Sequence, residues 1–164
     1  IVAIDPVDAR DFDDAVWAHR REDGGFDAIV AIADVSFYVL PGSQLDREAR
    51  KRGNSVYFPD LVVPMLPEAL SADICSLRAG EDRAALACHM VIDADGQLKS
   101  WRFSRAVIRV AANIPYEDAQ AAMDKLASNG SPCTVRPELV EGLSFSSGSG
   151  AQARSLDKLR TSGV

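Results

Sequence analysis

Short apolar runs, separated by clusters of turn-forming residues, occupy most of the chain up to residue 110. Runs of this length, rich in Val, Ile and Ala, are typical of buried or half-buried strands. The turn sequences Glu22-Asp23-Gly24-Gly25 and Ala94-Asp95-Gly96 each lie between two such runs, which predicts two β-hairpins. The predicted strands cover residues 1–4, 15–18, 26–33, 83–93 and 97–110, and residues 55–65 also have an extended pattern.

Two stretches have helical spacing instead. Ser43 has the side chain of a helix N-cap, residues 43–52 follow with apolar positions three and four apart, and Gly53 ends the pattern. Pro115 precedes a second helix over residues 116–127, and residues 67–77 suggest short helical turns. The pattern predicts an α+β fold, with a mixed, largely antiparallel sheet and packed helices.

The pattern weakens after residue 127, where Ser and Gly become frequent and apolar periodicity is lost. Such composition favours flexible chain over a packed core. We therefore expect residues 1–127 to form one domain and residues 128–164 to be a flexible tail. Because Ile1 begins inside a strand pattern, we also expect the chain to be part of a longer protein.

Composition limits the classes of function. The net charge of −6 disfavours binding of a polyanion by bulk charge, but it leaves room for an acidic site that contacts phosphates through metal ions. Three cysteines without CxxC spacing are typical of free thiols in a reducing compartment. No apolar run has membrane-spanning length, so we expect a cytoplasmic protein without a membrane partner.

Five aspartates crowd the stretch between the first two predicted strands, with one arginine among them. They are Asp5, Asp8, Asp11, Asp13 and Asp14. Carboxylates packed this closely repel one another, and the repulsion is relieved by solvent, protonation, basic partners or metal ions. Because strands flank the stretch, we expect a loop whose acids are aimed by a rigid sheet.

Several interpretations of this loop compete. A solvated acidic loop remains an alternative. A calcium loop starting at Asp11 fails, since Ala15 and Val16 occupy positions that need an oxygen ligand and a glycine. A phosphatase nucleophile would need a DxD pair, and Asp5 and Asp8 have the wrong spacing. The remaining interpretation is a magnesium site for phosphodiester chemistry, in which two ions about 4 Å apart serve an in-line displacement.

Five blocks of the sequence resemble, in order and spacing, the RNB catalytic domain of the ribonuclease II and ribonuclease R family, and ribonuclease R more closely. The blocks are IDPVDARDFDDAV, VAIADVSFYV, GSQLDREARKRGNSVYFPD, VPMLPEALSADICSLRAGEDR and ALACHMVIDADG. The resemblance covers residues 1–124. It implies a processive, Mg²⁺-dependent 3′→5′ exoribonuclease, also served by Mn²⁺, that hydrolyses single-stranded RNA to nucleoside 5′-monophosphates.

The resemblance also implies roles for individual residues. It places metal ligands at Asp5, Asp11 and Asp14, and a catalytic residue at Asp13 that positions the attacking water or the 3′-terminal nucleotide. Tyr57 falls where the family stacks an aromatic side chain on the last bases of the RNA, although a tyrosine packed on the core is the alternative. Arg78 and Arg83 are left with two interpretations: contacts with phosphates, or ion pairs with Glu81 and Asp82.

The resemblance does not reach every part of the family's proteins. Cold-shock domains, an S1 domain and the later catalytic segment, with its second stacking aromatic and its arginine at the scissile phosphate, are not matched. We therefore expect a truncated catalytic domain that does not degrade RNA processively. A catalytically impaired fragment that binds metal or RNA is the alternative.

Overall fold

The computed structural model describes residues 1–128 of the chain. Within this part, eight β-strands and two α-helices confirm the α+β class. The strands are β1 (Ala3–Asp5), β2 (Asp14–Arg20), β3 (Phe26–Ala33), β4 (Val56–Tyr57), β5 (Val62–Val63), β6 (Asp82–Ile92), β7 (Leu98–Arg109) and β8 (Asn113–Pro115). The helices are α1 (Gln44–Arg52) and α2 (Tyr116–Ser128), with a 3₁₀ turn at Val35–Phe37 and a π-helical turn at Leu70–Ile74.

The central sheet has the strand order β2-β3-β6-β7, and every pair in it is antiparallel. Both predicted hairpins, β2–β3 and β6–β7, are confirmed. On one face Ala15 pairs with Ala31, and Ala31 pairs with Ala87, so alanines form a row across three strands. All three are buried. Side chains this small let the covering layer, which includes Leu77 and Ile1, pack close to the sheet.

The opposite face of the sheet is apolar and exposed. Ile32 pairs with Leu86, and both keep more than two-fifths of their surface accessible, at 47% and 43%. Trp101 and Phe103 on β7 are exposed as well, with ring centroids 5.4 Å apart. Directly paired residues share a face. Asp14, the first residue of β2, pairs with Ile32 and therefore lies on this open face.

A second, two-stranded unit holds β1 beside the central sheet. β1 pairs in parallel with β8, so that Ala3 lies beside Asn113 and Asp5 beside Pro115. Val2 and Val16 exchange backbone hydrogen bonds of 2.9 and 2.7 Å, which joins the start of β1 to β2. β8 was not predicted, because a three-residue strand carries too little pattern to be recognised.

α1 forms where the sequence predicts it. The Ser43 side chain accepts a hydrogen bond of 3.1 Å from the Asp46 amide, and Gly53 ends the helix with a φ of +78°. Such a φ is strained for any residue with a Cβ, and glycine adopts it freely. Ion pairs between residues four apart, Asp46 with Arg50 and Glu48 with Arg52, lie along its surface.

The extended pattern over residues 55–65 forms less strand than predicted. Only β4 and β5 pair there, as a small hairpin separate from the central sheet. Pro59 and Pro64 lack the backbone donor that a longer ladder needs.

Residues 129–164, and with them nearly all of the predicted tail, lie outside the described residues, as does Cys133. Cys75 and Cys88 are free thiols, as predicted. Within residues 1–128, no helix is both long and apolar enough to cross a membrane.

Candidate active site

Asp5 ends β1, and its carboxylate is only partly accessible. The parallel partner β8 and the Val2–Val16 bridge fix the backbone of this strand on both sides. The Oδ2 atom of Asp5 is buried and accepts no hydrogen bond from the described residues. A buried carboxylate oxygen without a partner is costly, so its place in the fold calls for an external donor or a cation.

Backbone hydrogen bonds hold the rest of the acidic loop against the core. Ala33 donates to the Asp13 carbonyl at 2.8 Å, and Leu77 donates to the Phe12 carbonyl at 2.8 Å. The Ser76 hydroxyl accepts from the Phe12 amide at 3.1 Å and donates to the Arg10 carbonyl at 3.0 Å. The loop is therefore anchored on both sides of Asp11.

The electrostatics show that the four predicted acids share one region. Burial is the largest cause of the raised pKa of Asp5, followed by the negative charges of Asp14 and Asp11. Asp13 is exposed as a residue, but protein atoms crowd its carboxyl group, and this desolvation is the main cause of its raised pKa. The charges of Asp11, Asp14 and Asp5 raise the pKa of Asp13 further. The structure thus brings all four together.

Tyr57 connects the small β4–β5 hairpin to this cluster. Its hydroxyl donates a hydrogen bond of 3.1 Å to Asp11 Oδ2. That bond, followed by the Asp11 charge, raises the pKa of Tyr57. The side chain is 65% exposed, which excludes the alternative of a tyrosine packed on the core. Most of the surface of Tyr57 is therefore accessible beside the Asp11 carboxylate.

The carboxylate oxygens of Asp5, Asp11 and Asp14 suit a hard cation, but they are not arranged to coordinate one ion together. Within residues 1–128, no three His, Cys, Asp or Glu side chains form a ready-made metal site. Repulsion between ionised carboxylates is a physical reason for such separation. Two observations nevertheless fit Mg²⁺: every predicted ligand is an oxygen, and the buried Asp5 Oδ2 has no hydrogen-bond partner among residues 1–128. The assignment of Asp5, Asp11 and Asp14 as metal ligands stays a prediction.

Cys75 is not available for metal binding or nucleophilic chemistry. The thiol is buried, and burial together with the charge of Asp13 raises its pKa to about 11. A thiol with this pKa stays protonated at neutral pH, whereas metal ligation and attack need the thiolate.

Two arginines and one buried serine complete the surroundings. Arg83 pairs with Glu81, as one interpretation predicted, and donates to the Ser76 carbonyl at 2.9 Å. Arg78 pairs instead with Asp73, at 3.4 Å. Ser76 was not singled out from the sequence, although a polar residue between Cys75 and Leu77 in an apolar run was the available signal. A cleft of about 800 Å³ is lined by Arg10 and Phe12 and by none of the four acids.

Comparison with known proteins identifies the family. The RNB domain family model matches residues 1–161. The chain belongs to the RNB family. The resemblance seen in the sequence is thereby confirmed. The family match also extends over most of residues 128–164. The domain boundary at residue 127 stays a prediction.

Relatives of this RNB chain include ribonuclease R of Vibrio parahaemolyticus, which is 51% identical over 124 residues. That alignment covers 76% of this chain and 15% of the relative. Structures of Mycoplasma genitalium ribonuclease R in complex with ribose-methylated single-stranded RNA and with double-stranded RNA have TM-scores of 0.72 and 33% identity. They match 85% of this chain, which spans 21% and 24% of their lengths.

The first prediction for this RNB chain concerns the cost of the acidic cluster. The pKa of Asp13 is higher in the folded protein than its ordinary value of 3.8. The protonated Asp13 carboxyl therefore contributes stability below pH 3.8, and this contribution is lost as pH rises through the pKa that Asp13 has in the folded protein. Asp13→Asn should therefore stabilise the metal-free protein at neutral pH by about 0.5–1 kcal/mol, a gain that disappears on acidification. Urea unfolding between pH ~3.5 and ~7.5 measures this.

Asp8→Asn is the matched control, since Asp8 is exposed in the same loop and does not act on Asp5 or Asp13. Its effect should stay within about 0.5 kcal/mol at every pH. Destabilisation of the neutral-pH protein by Asp13→Asn would contradict the prediction.

The second prediction concerns the hydrogen bond between Tyr57 and Asp11. Replacing Asp11 with Asn removes the negative charge that disfavours the phenolate, so the pKa of Tyr57 should fall towards its ordinary value of 10.0. An NMR pH titration of the tyrosine ring signals, assigned with Tyr57→Phe, measures the change. Asp8→Asn should leave this pKa where it is, and an unchanged Tyr57 pKa in Asp11→Asn would refute the contact.

Proposed function

We propose that this chain is the acidic part of a Mg²⁺-dependent 3′→5′ exoribonuclease that hydrolyses single-stranded RNA to nucleoside 5′-monophosphates. The observation that carries the proposal is the convergence of Asp5, Asp11, Asp13 and Asp14. The charges of Asp11 and Asp14 raise the pKa of both Asp5 and Asp13, and the charge of Asp5 raises the pKa of Asp13 as well. Since the chain belongs to the RNB family, we assign phosphodiester hydrolysis to this acidic cluster.

Asp5, Asp11 and Asp14 would hold the ion, for which Mn²⁺ can substitute. When bound, a divalent cation supplies an activated water and offsets phosphate charge. Asp5 is the best-supported ligand, because its buried Oδ2 has no hydrogen-bond partner in the part of the chain that the structure describes, and its strand is fixed on both sides. Asp14 stands at the start of β2, where the central sheet holds its backbone.

Asp13 would orient the attacking water or the 3′-terminal nucleotide. Asp13 is exposed, so substrate can reach it. The hydrogen bond that the Ala33 amide donates to the Asp13 carbonyl fixes the backbone at this position. Its raised pKa reflects a crowded, negatively charged setting, in which a carboxylate favours nearby protons and cations. Loss of Asp13 should therefore affect catalysis more than binding.

Tyr57 would stack on the terminal bases of the RNA. Its exposed ring offers a face to a base, and its bond to Asp11 keeps that face beside the acids. Stacking of this kind contributes about 1–3 kcal/mol per base and tolerates any sequence. The RNA complexes of the Mycoplasma genitalium relative support RNA as the ligand class.

The second candidate is a chain that binds metal and an RNA end with little turnover. One observation favours it: within residues 1–128, every charged group that acts on Asp5 or Asp13 raises the pKa of that carboxyl, so no positive side chain in this part of the chain offsets the two acids. Phosphodiester hydrolysis gains from positive groups aimed at the developing charge. The two candidates differ in turnover and agree on binding.

Incubation of the chain with Mg²⁺ and 5′-labelled single-stranded RNA tests the proposal. The wild-type chain and Asp8→Asn should shorten the RNA from its 3′ end, and Asp13→Asn should slow this by about 10²-fold or more. RNA affinity, from fluorescence anisotropy, should differ by less than about threefold. Binding without shortening by the wild type favours the second candidate, and absence of both contradicts the two together.

The stacking role of Tyr57 is tested separately in the Asp13→Asn background, where RNA is bound and not shortened. Tyr57→Ala should raise the Kd for single-stranded RNA by about tenfold, because it removes the ring. Tyr57→Phe keeps the ring and should stay within about threefold of the parent. Equal losses in the two variants would show that the hydroxyl, and not stacking, supports RNA binding.

A further inference from the structure

Ser76 lies directly behind the acidic loop and is completely buried, at 0% exposure. Its hydroxyl is used twice, as acceptor from the Phe12 amide and as donor to the Arg10 carbonyl, at 3.1 and 3.0 Å. These two backbone groups flank Asp11. A single side chain therefore fixes the chain on both sides of one predicted metal ligand.

Ser76 is itself held in place from the opposite direction. Its carbonyl accepts a hydrogen bond of 2.9 Å from Arg83, whose side chain is only 15% exposed. Arg83 in turn pairs with Glu81. The hydroxyl that contacts the acidic loop thus projects from a segment that has its own fixed position.

The same segment also reaches the strand that carries Asp5. Asn113 on β8 donates to the Leu77 carbonyl at 3.0 Å, and Asn113 pairs with Ala3 on β1. Leu77 also donates to the Phe12 carbonyl. Residues 76–77 are therefore a bridge between the backbone around Asp11 and the strand that ends in Asp5.

This bridge acts against electrostatic repulsion. Asp11 and Asp13 lie in one short loop that follows Asp5, and carboxylates crowded in this way repel one another when they are ionised. A loop under such a force spreads unless its backbone is tied down. The two hydrogen bonds of Ser76 provide that restraint where the loop has no regular secondary structure.

We propose that Ser76 is a positioning residue of the metal site, whose hydroxyl holds Asp11 in place relative to Asp5 so that both carboxylates meet one divalent cation. This inference rests on the proposed function, because it assumes that the acids bind a metal ion. Ser76 touches neither metal nor RNA and acts only through the loop backbone.

The test compares Ser76→Ala with Ser104→Ala in the full chain. Ser104 is a matched control, since it is half-buried and its hydroxyl makes a hydrogen bond of 3.1 Å with His89, on strands β7 and β6. Ser76→Cys is a second variant that fills the site with a thiol, a weak hydrogen-bonding group, and guards against a folding defect from lost volume. Urea unfolding verifies that all variants are folded.

Two readouts separate the anchor from the metal site. Amide hydrogen exchange of Phe12 and Leu77 reports the anchor without any metal, and should accelerate by about tenfold or more in both Ser76 variants. The second readout is the affinity of the metal site for Mn²⁺, measured from the electron paramagnetic resonance signal of free Mn²⁺. The Kd for Mn²⁺ should rise about 10–100-fold in both Ser76 variants, as it does when other residues that support a metal ligand are replaced. Ser104→Ala should change neither.

Every other outcome contradicts one specific part of the proposal. Unchanged exchange in the Ser76 variants refutes the anchor. Faster exchange with an unchanged Mn²⁺ Kd refutes positioning, as does an equal loss of affinity in Ser104→Ala. Absence of Mn²⁺ binding by the wild-type chain overturns the proposed function and the metal role of Ser76 with it, whereas faster exchange in the variants would still show that the anchor exists.

Discussion

Repulsion among four carboxylates is the constraint on which the rest of the structure depends. The charges of Asp11 and Asp14 raise the pKa of both Asp5 and Asp13, and within residues 1–128 no positively charged group acts on these two carboxyls to compensate. The fold therefore holds the cluster together with neutral contacts, chiefly backbone hydrogen bonds. Natural proteins accept such local destabilisation where function requires it.

The architecture supplies these contacts from two separate units. The parallel β1–β8 pair carries Asp5, and the central antiparallel sheet carries Asp14, with the exchanged hydrogen bonds of Val2 and Val16 joining the two. A row of buried alanines on the sheet brings the covering layer close, so the acidic loop and the Ser76 segment pack directly against it. Packing thus sets where the acids meet.

Tyr57 extends the cluster towards the proposed substrate. Its hydroxyl bonds to Asp11 while its ring stays exposed, so one side chain joins a predicted metal ligand to a surface suited to a base. Such a link would make the position of the RNA end and that of the carboxylate interdependent. The small β4–β5 hairpin, which stands apart from the central sheet, matters mainly because it presents this residue.

Local sequence determined much of this protein. Alternating apolar runs and turn residues specified both hairpins, Ser43 and Gly53 specified α1, and the order of five blocks specified the RNB family. The acidic stretch was evident for the same reason, since its residues are neighbours in the chain. The tertiary structure alone decided that Ser76 anchors Phe12, 64 residues away, and that Tyr57 bonds to Asp11 across 46 residues. Contacts between residues so far apart depend on how packed layers meet, and periodicity in one stretch carries no information about them.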